Sequence, residues 1–368
     1  MAIGVALIGA GLFAREFHFP SIEASPHLEL KAVYSRSLKT AQKLAPEKPL
    51  DRYADDTDQG LQQLLARSDI QAVIIALAIG TQTPYIHAAL SAGKHVLSEK
   101  PITDNVAEAV ELTRWYRSEI SPTVNWSVAE NWRYLDSLHY VRQLVPQLGR
   151  LSQFRTLVYI NVGPEWSFAR YFGKRFFLSP DIYLEWTLTD RQRSATDTTW
   201  RHEAQYQGGY LLDVGIHFLA GTRYLLGDER IARVAAFTRG VSPSIPPLDT
   251  LDAILQAESG LQGSVQIALG SSQPGAGWTV VGEHGYITAT EVSVTSKIHG
   301  REDVKDFTAD LLAVPPEVRA WGEAIAKGTP NAQQAPEQGL ADLELIEAML
   351  RSASQQGQLQ TTKHQVEG

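Results

Sequence analysis

Ile3-Gly4-Val5-Ala6-Leu7-Ile8-Gly9-Ala10-Gly11-Leu12-Phe13-Ala14 is the stretch that decides the fold. Residues 3–8 form an apolar run of strand length, and Gly9 to Ala14 read G-x-G-x-x-A. Gly9 permits a tight turn, Gly11 lets the main chain approach a pyrophosphate, and Ala14 lets a following helix pack closely on the strand. The free N–H groups and the dipole at such a helix start favour phosphate. A glycine triplet alone is a common turn. Here a helix is expected through Ala24 and a second strand at 28–34, the setting a dinucleotide-binding βαβ unit requires.

The second strand ends in Tyr34-Ser35-Arg36-Ser37, without an acid. An acid there would bind the ribose 2′-hydroxyl of NAD and repel a 2′-phosphate. Arg36 can stack on adenine or clamp a phosphate, and the serines can donate to one. The expected cofactor is therefore NADP ahead of NAD. The alternation continues with helices at 40–44 and 58–67, a continuous apolar strand at 72–78, a helix at 85–92 containing His87, and a strand at 95–97. His87 is expected to be packed or half-exposed on its helix, with a place near the cofactor as the alternative. A helix at 106–118, capped by Asp104, and a last strand at 123–125 complete a doubly wound parallel sheet.

The strand at 95–97 runs into Ser98-Glu99-Lys100-Pro101. In open α/β sheets ligands sit in the crevice outside the carboxyl ends of the strands. A lysine there can meet both a cofactor and a substrate, and the proline after it biases it away from helical geometry.

From residue 129 the pattern changes. Glu130-Asn131-Trp132-Arg133-Tyr134 leads to a helix at 135–148 and a strand at 151–161. Residues 163–201 are irregular and rich in aromatics, including Trp166 and Trp200. A loop of that length is usually functional. It reads either as a substrate wall of flat rings suited to sugar faces, or as a subunit interface or local core. Gly208-Gly209-Tyr210-Leu211-Leu212-Asp213-Val214-Gly215-Ile216-His217 follows, with a helix expected over 210–226. Asp213 and His217 are four residues apart and share one helical face. A carboxylate beside an imidazole can set its tautomer and raise its basicity, and histidine suits proton transfer near neutrality. Short β-branched runs at 233–238, 250–257, 261–269, 278–282, 285–290 and 292–298 predict a large, mostly antiparallel open sheet. Closing helices are expected at 315–327 and 336–353, the latter packing back on the first domain, with a frayed polar tail at 355–368.

The 368 residues suggest two domains, 1–128 and 129–368. There is no cysteine, so neither a disulfide framework nor thiol catalysis is available. A net charge of −8 argues against a nucleic-acid partner. No stretch is apolar enough to span a bilayer, and 2–14 reads as a buried strand rather than a secretory segment, so a cytoplasmic protein is expected. His202, Glu203 and His217 have no recognisable metal-ligand spacing, so no metal is expected.

Taken together, G-x-G-x-x-A at Gly9–Ala14, Glu99-Lys100-Pro101, and GGYLLDVGIH at Gly208–His217 resemble the glucose–fructose oxidoreductase/inositol dehydrogenase/rhizopine catabolism (Gfo/Idh/MocA) family. The likeness extends to Glu130-Asn131 and Trp200-Arg201. It implies an N-terminal Rossmann domain and a C-terminal α/β domain whose open sheet makes homodimer or homotetramer contacts. It further implies a nicotinamide cofactor, a sugar or polyol-like substrate, a cis Lys100–Pro101 bond, and catalytic roles for Lys100, Asp213 and His217. Candidate cofactor contacts are Gly9, Gly11, Leu12, Phe13, Ser35, Arg36, Ala78, Glu99 and Lys100. Candidate substrate contacts are Trp126, Trp166, Trp200 and Arg201. The activity expected is hydride transfer between nicotinamide and a carbon-bound hydroxyl or carbonyl, with either His217 or Lys100 moving the proton. The alternatives are a dinucleotide-sensing regulator that binds a protein partner, and a reductase of an imine or enone, or remover of a ring substituent, on the same scaffold.

Overall fold

The computed structural model describes residues 2–162, 207–243, 245–307 and 312–368. They form two compact units, Met1–Tyr134 with Leu312–Ala341, and Leu135–Leu311 with Asp342–Gly368.

In the first unit, β1 (Ile3–Ile8) leads through helical residues 12–24, widened to a π-type turn at Ala14–His18 and ending as α1 (Phe19–Ala24). Then follow β2 (Leu28–Ser35), α2 (Leu38–Ala41), β3 (Asp51–Ala54), α3 (Leu61–Leu65), β4 (Ala72–Ile75), α4 (Thr83–Ser91), β5 (His95–Glu99), α5 (Val106–Trp115) and β6 (Trp126–Ala129). The six strands pair in parallel in the order β3-β2-β1-β4-β5-β6. All residues of β4 and β6 are buried, as strands covered on both faces require. The order reverses between β1 and β4, the switch point at which such sheets open a crevice.

Two expectations are corrected here, and one strand is added. The last strand is Trp126–Ala129 rather than 123–125: pairing with β5 begins at Trp126, while the Asn125 N–H donates to the His95 side chain, Nδ1. The cap of α5 is Asn105, whose side chain accepts from the Glu108 N–H at 2.9 Å, rather than Asp104. The strand β3 had no counterpart in the reading, because Asp51-Arg52-Tyr53-Ala54 is a polar edge segment without alternation.

The second unit begins with α6 (Asp136–Leu144) and β7 (Leu151–Asn161), and continues with α7 (Tyr210–Leu226), β8 (Ile231–Arg239), β9 (Thr250–Ala257), β10 (Gln262–Ala268), β11 (Gly270–Gly282), β12 (Gly285–Ala289), β13 (Ser293–Ile298) and β14 (Arg301–Asp306). Among the described residues its sheet has nine strands, antiparallel except for the β7/β10 pair. The mostly antiparallel open sheet expected is thus present. Helix α7 lies on one face: a β-carbon at Gly221 would sit 2.7 Å from the Trp278 ring, and Trp278 Nε1 donates to the Phe218 carbonyl. The other face exposes large apolar side chains, among them Phe237 and Ile254. The edge strand β14 is exposed throughout and mostly charged, so no periodicity announces it.

α8 (Val314–Lys327) belongs to the first unit, and α9 (Pro336–Ser354) crosses the division at Ala341/Asp342. The frayed tail is a further correction. β15 (Gln360–Thr361) pairs with β8, and the Glu344 carboxylate accepts from the Lys363 N–H at 2.6 Å and the His364 N–H at 3.0 Å. Arg223 Nη2 donates to the Val366 carbonyl at 2.9 Å, so side chains from two helices satisfy the tail's main chain. Among the described residues no helix is long and apolar enough to cross a membrane.

Candidate active site

The parallel register aligns the carboxyl ends of β2, β1, β4 and β5: Ile8 lies opposite Tyr34 and Ile75, and Ile75 opposite Ser98. Ser35 and Glu99 are the last residues of their strands, Gly9 follows β1 directly, and Ala78 lies three residues after β4. Gly9 has φ +110°, and a β-carbon there would collide with the Ala76 carbonyl oxygen, so this turn needs glycine. A β-carbon at Gly11 would meet no atom within 4 Å. Leu12 is exposed, whereas Ala14 is buried. A tight turn with open space over Gly11, followed by a helix start with unpaired N–H groups, fits a dinucleotide pyrophosphate.

At the end of β2, Arg36 is exposed and Ser35 half-buried. Two acids that the sequence reading missed reach this end from the turn after β3. The Tyr34 hydroxyl donates to Asp55 at 2.7 Å, and Asp56 accepts from the Leu38 N–H at 2.8 Å. Burial and that bond to Asp55 push the Tyr34 phenol above its ordinary range.

The lysine turn is held from several sides. His18, from the helix after the glycine turn, is 0% exposed and places Nε2 2.6 Å from Glu99 Oε1. The other Glu99 oxygen accepts from the Lys100 N–H at 3.2 Å. Buried Gln82, at the start of α4, donates from Nε2 to the Glu99 carbonyl at 3.0 Å. Lys100 is half-buried, and its bond to Pro101 is cis. Below the turn lies Glu317 on α8, 1% exposed. Burial above all, then the facing carboxylates of Glu99 and Glu130, push its carboxyl well above the usual range, against the opposing pull of Arg133. Neither His18 nor Glu317 was marked by the sequence, since each meets this turn across a long separation.

Trp126 is a core residue: its Nε1 donates to Ser98 Oγ at 3.0 Å and its ring meets Tyr116 edge-on. Its side chain, expected among the substrate contacts, is 2% exposed. His87 packs on Trp115 with ring centres 3.9 Å apart and planes tilted by 45°, and burial pushes its imidazole down.

In the second unit, α7 is buried along its length except at Asp213, Val214 and His217. The two ionisable residues thus mark the half-exposed stripe of a core helix. Trp166, Trp200 and Arg201 lie outside the described residues.

Residues 3–120 match the family model described as "Oxidoreductase family, NAD-binding Rossmann fold", and residues 182–288 match "GFO/IDH/MocA C-terminal domain". The chain is 36% identical to "Dehydrogenase FPY6" of Fusarium mangiferae, over 98% of this chain and 99% of that protein. It is 29% identical to the dTDP-3,4-didehydro-2,6-dideoxy-alpha-D-glucose 3-reductase of Streptomyces violaceoruber, over 78% of this chain and 72% of that one. Among solved structures it is similar to an oxidoreductase from Thermotoga maritima, with TM-score 0.80, 24% identity and 98% of each chain covered.

Proposed function

The chain belongs to the Gfo/Idh/MocA family of NAD-binding oxidoreductases, and from that premise we propose that it is an NAD(P)-dependent dehydrogenase acting on a carbon-bound hydroxyl of a sugar or polyol, or on the corresponding carbonyl. One observation carries the reading: the acidic and imidazole side chains of Asp213 and His217 occupy the half-exposed stripe of a helix otherwise committed to the core. Ionisable residues are ordinary at the exposed positions of a helix, so the weight lies in the residue types: a carboxylate one turn before an imidazole can set its tautomer and raise its basicity. The relative from Streptomyces violaceoruber is named as a reductase of a keto sugar, which is the same chemistry run towards the alcohol.

A bound nicotinamide supplies or accepts the hydride. Lys100 hydrogen-bonds the reacting oxygen and stabilises negative charge as it develops. His217 takes the hydroxyl proton as general base, and Asp213, one helical turn before it, orients the ring. In the variant of this mechanism with the roles exchanged, Lys100 moves the proton and His217 positions the substrate. Arg36, exposed at the end of β2, whose last residues include no acid, supports NADP over NAD, while Asp55 and Asp56, reaching that end from the turn after β3, weigh the other way. The exposed apolar face around Phe237 and Ile254 supports association with a second copy through the open sheet.

The test is a fluorescence titration with NADPH and NADH, followed by a panel of D-glucose, D-xylose, D-gluconate and myo-inositol with the oxidised cofactors, read by absorbance of the reduced form. Saturable turnover of one of these with either cofactor is expected. Nucleotide binding with no redox turnover of any panel compound contradicts the proposal.

A further inference from the structure

We infer that His18 is a positioning residue for the lysine turn, coupling the helix that starts at the glycine turn to the main chain at Lys100. The inference rests on the role given to Lys100 above. His18 is fully buried, and a two-bond bridge leaves it: Nε2 to Glu99 Oε1 at 2.6 Å, then Glu99 Oε2 to the Lys100 N–H at 3.2 Å. Its other ring nitrogen, Nδ1, is buried without a hydrogen-bond partner. With the proton on Nε2, that nitrogen donates to a carboxylate and only a lone pair is left unmet at Nδ1. The reverse tautomer would set two acceptors against each other at 2.6 Å. The ring is therefore built to hold Glu99 in one orientation.

On its other side His18 meets the glycine turn. The Phe13 ring stands edge-on to the imidazole with centres 5.3 Å apart, and Phe13 is itself in the G-x-G-x-x-A segment. A pyrophosphate seated on that segment bears on the same short helix that carries His18. Contacts thus run from Phe13 to His18 to Glu99 to the Lys100 main chain. Gln82 holds the Glu99 carbonyl independently, so losing His18 loosens the turn without releasing it. A catalytic group displaced by about 1 Å loses on the order of a hundredfold in rate, so partial loosening predicts a loss of about tenfold to a hundredfold.

The test compares His18→Leu, which fills similar volume but cannot donate, with His18→Gln, which returns an N–H close to the Nε2 position. With the panel compound turned over fastest, His18→Leu is expected to lower kcat by about tenfold or more while KM for the nucleotide changes little, and His18→Gln to recover most of the loss. A second readout needs no substrate. In histidine-labelled wild-type protein, long-range 1H–15N spectra should give an Nε2-protonated ring for His18, assigned by its loss in His18→Gln, and its signals should move on adding NADPH. This readout uses the wild-type fold, so a His18→Leu protein that fails to fold leaves the test intact. An unchanged kcat in His18→Leu, an equal loss in both variants, or ring signals indifferent to NADPH overturns the inference. If the wild-type protein turns over no panel compound, the reading of Lys100 fails, and the ring signals alone decide the coupling.

Discussion

Replacing Glu317 by Gln should stabilise the protein, and by an amount that grows with pH. Glu317 is 1% exposed and faces Glu99, Glu130 and Arg133. Burial and the two carboxylates raise its folded-state pKa well above the ordinary 4.5. Above about pH 4.5 the unfolded chain gives up this proton while the folded protein keeps it, so the folded state binds more protons and its stability falls as pH rises. The stability gained from holding the proton is complete below 4.5 and is lost progressively up to the pH at which Glu317 ionises in the folded protein. Within that window each pH unit removes up to about 1.4 kcal/mol. For a unit of this size that is roughly 3–6 °C in Tm per pH unit. Glutamine keeps the shape and a donor but has no proton to lose. Thermal melts of both proteins at pH 5, 6 and 7 should therefore diverge, with Glu317→Gln the more stable at the upper end. Parallel curves would refute the assignment of a protonated Glu317, and a variant less stable at every pH would show that the carboxylate form is the one the fold uses.

Gly9→Ala should abolish nucleotide binding, because a β-carbon there meets the Ala76 carbonyl at a positive φ; a titration with NADPH that still saturates in the wild-type range would contradict the turn geometry. Arg223 and Asp342 form a buried ion pair at 2.6 Å, and Asp342→Asn should lower stability by about 3–5 kcal/mol in chemical denaturation, since it leaves a buried guanidinium uncompensated. Arg36→Ala should weaken NADPH more than NADH, and Asp56→Asn should have the opposite sign; equal effects of both variants on the two nucleotides would remove any role for this end of β2 in choosing the cofactor.

The parts of the fold legible in the sequence were those where one short stretch holds all the needed signal. The glycine turn follows its strand and precedes its helix within residues 3–24. Helix α7 is bracketed by Gly208-Gly209 and Gly227, and both ends were read where they fall. The strands β7 and β9 alternate cleanly because one of their faces is covered. What escaped were elements whose stability comes from elsewhere. The strand β3 is a polar sheet edge, β14 has no buried residue, and β15 exists because Glu344 and Arg223 bind the chain beside it. At the candidate site, the lysine turn was visible as Glu99-Lys100-Pro101, but the residues that hold it were not. His18 reaches Glu99 across 81 positions, and Glu317 enters from a helix beyond the second sheet. A pairing across such separations has no periodicity or local motif to mark it.

The claim on which the account turns is that Lys100 converts a dinucleotide-binding unit into a catalyst. Lys100→Met removes the ammonium and keeps a side chain of similar length. Measured on one preparation, turnover of the best panel substrate should fall by about a thousandfold, within the range lost with a charge-stabilising donor, while fluorescence titration still finds NADPH bound near its wild-type affinity. A Lys100→Met protein that binds the nucleotide and turns over at the wild-type rate would contradict it.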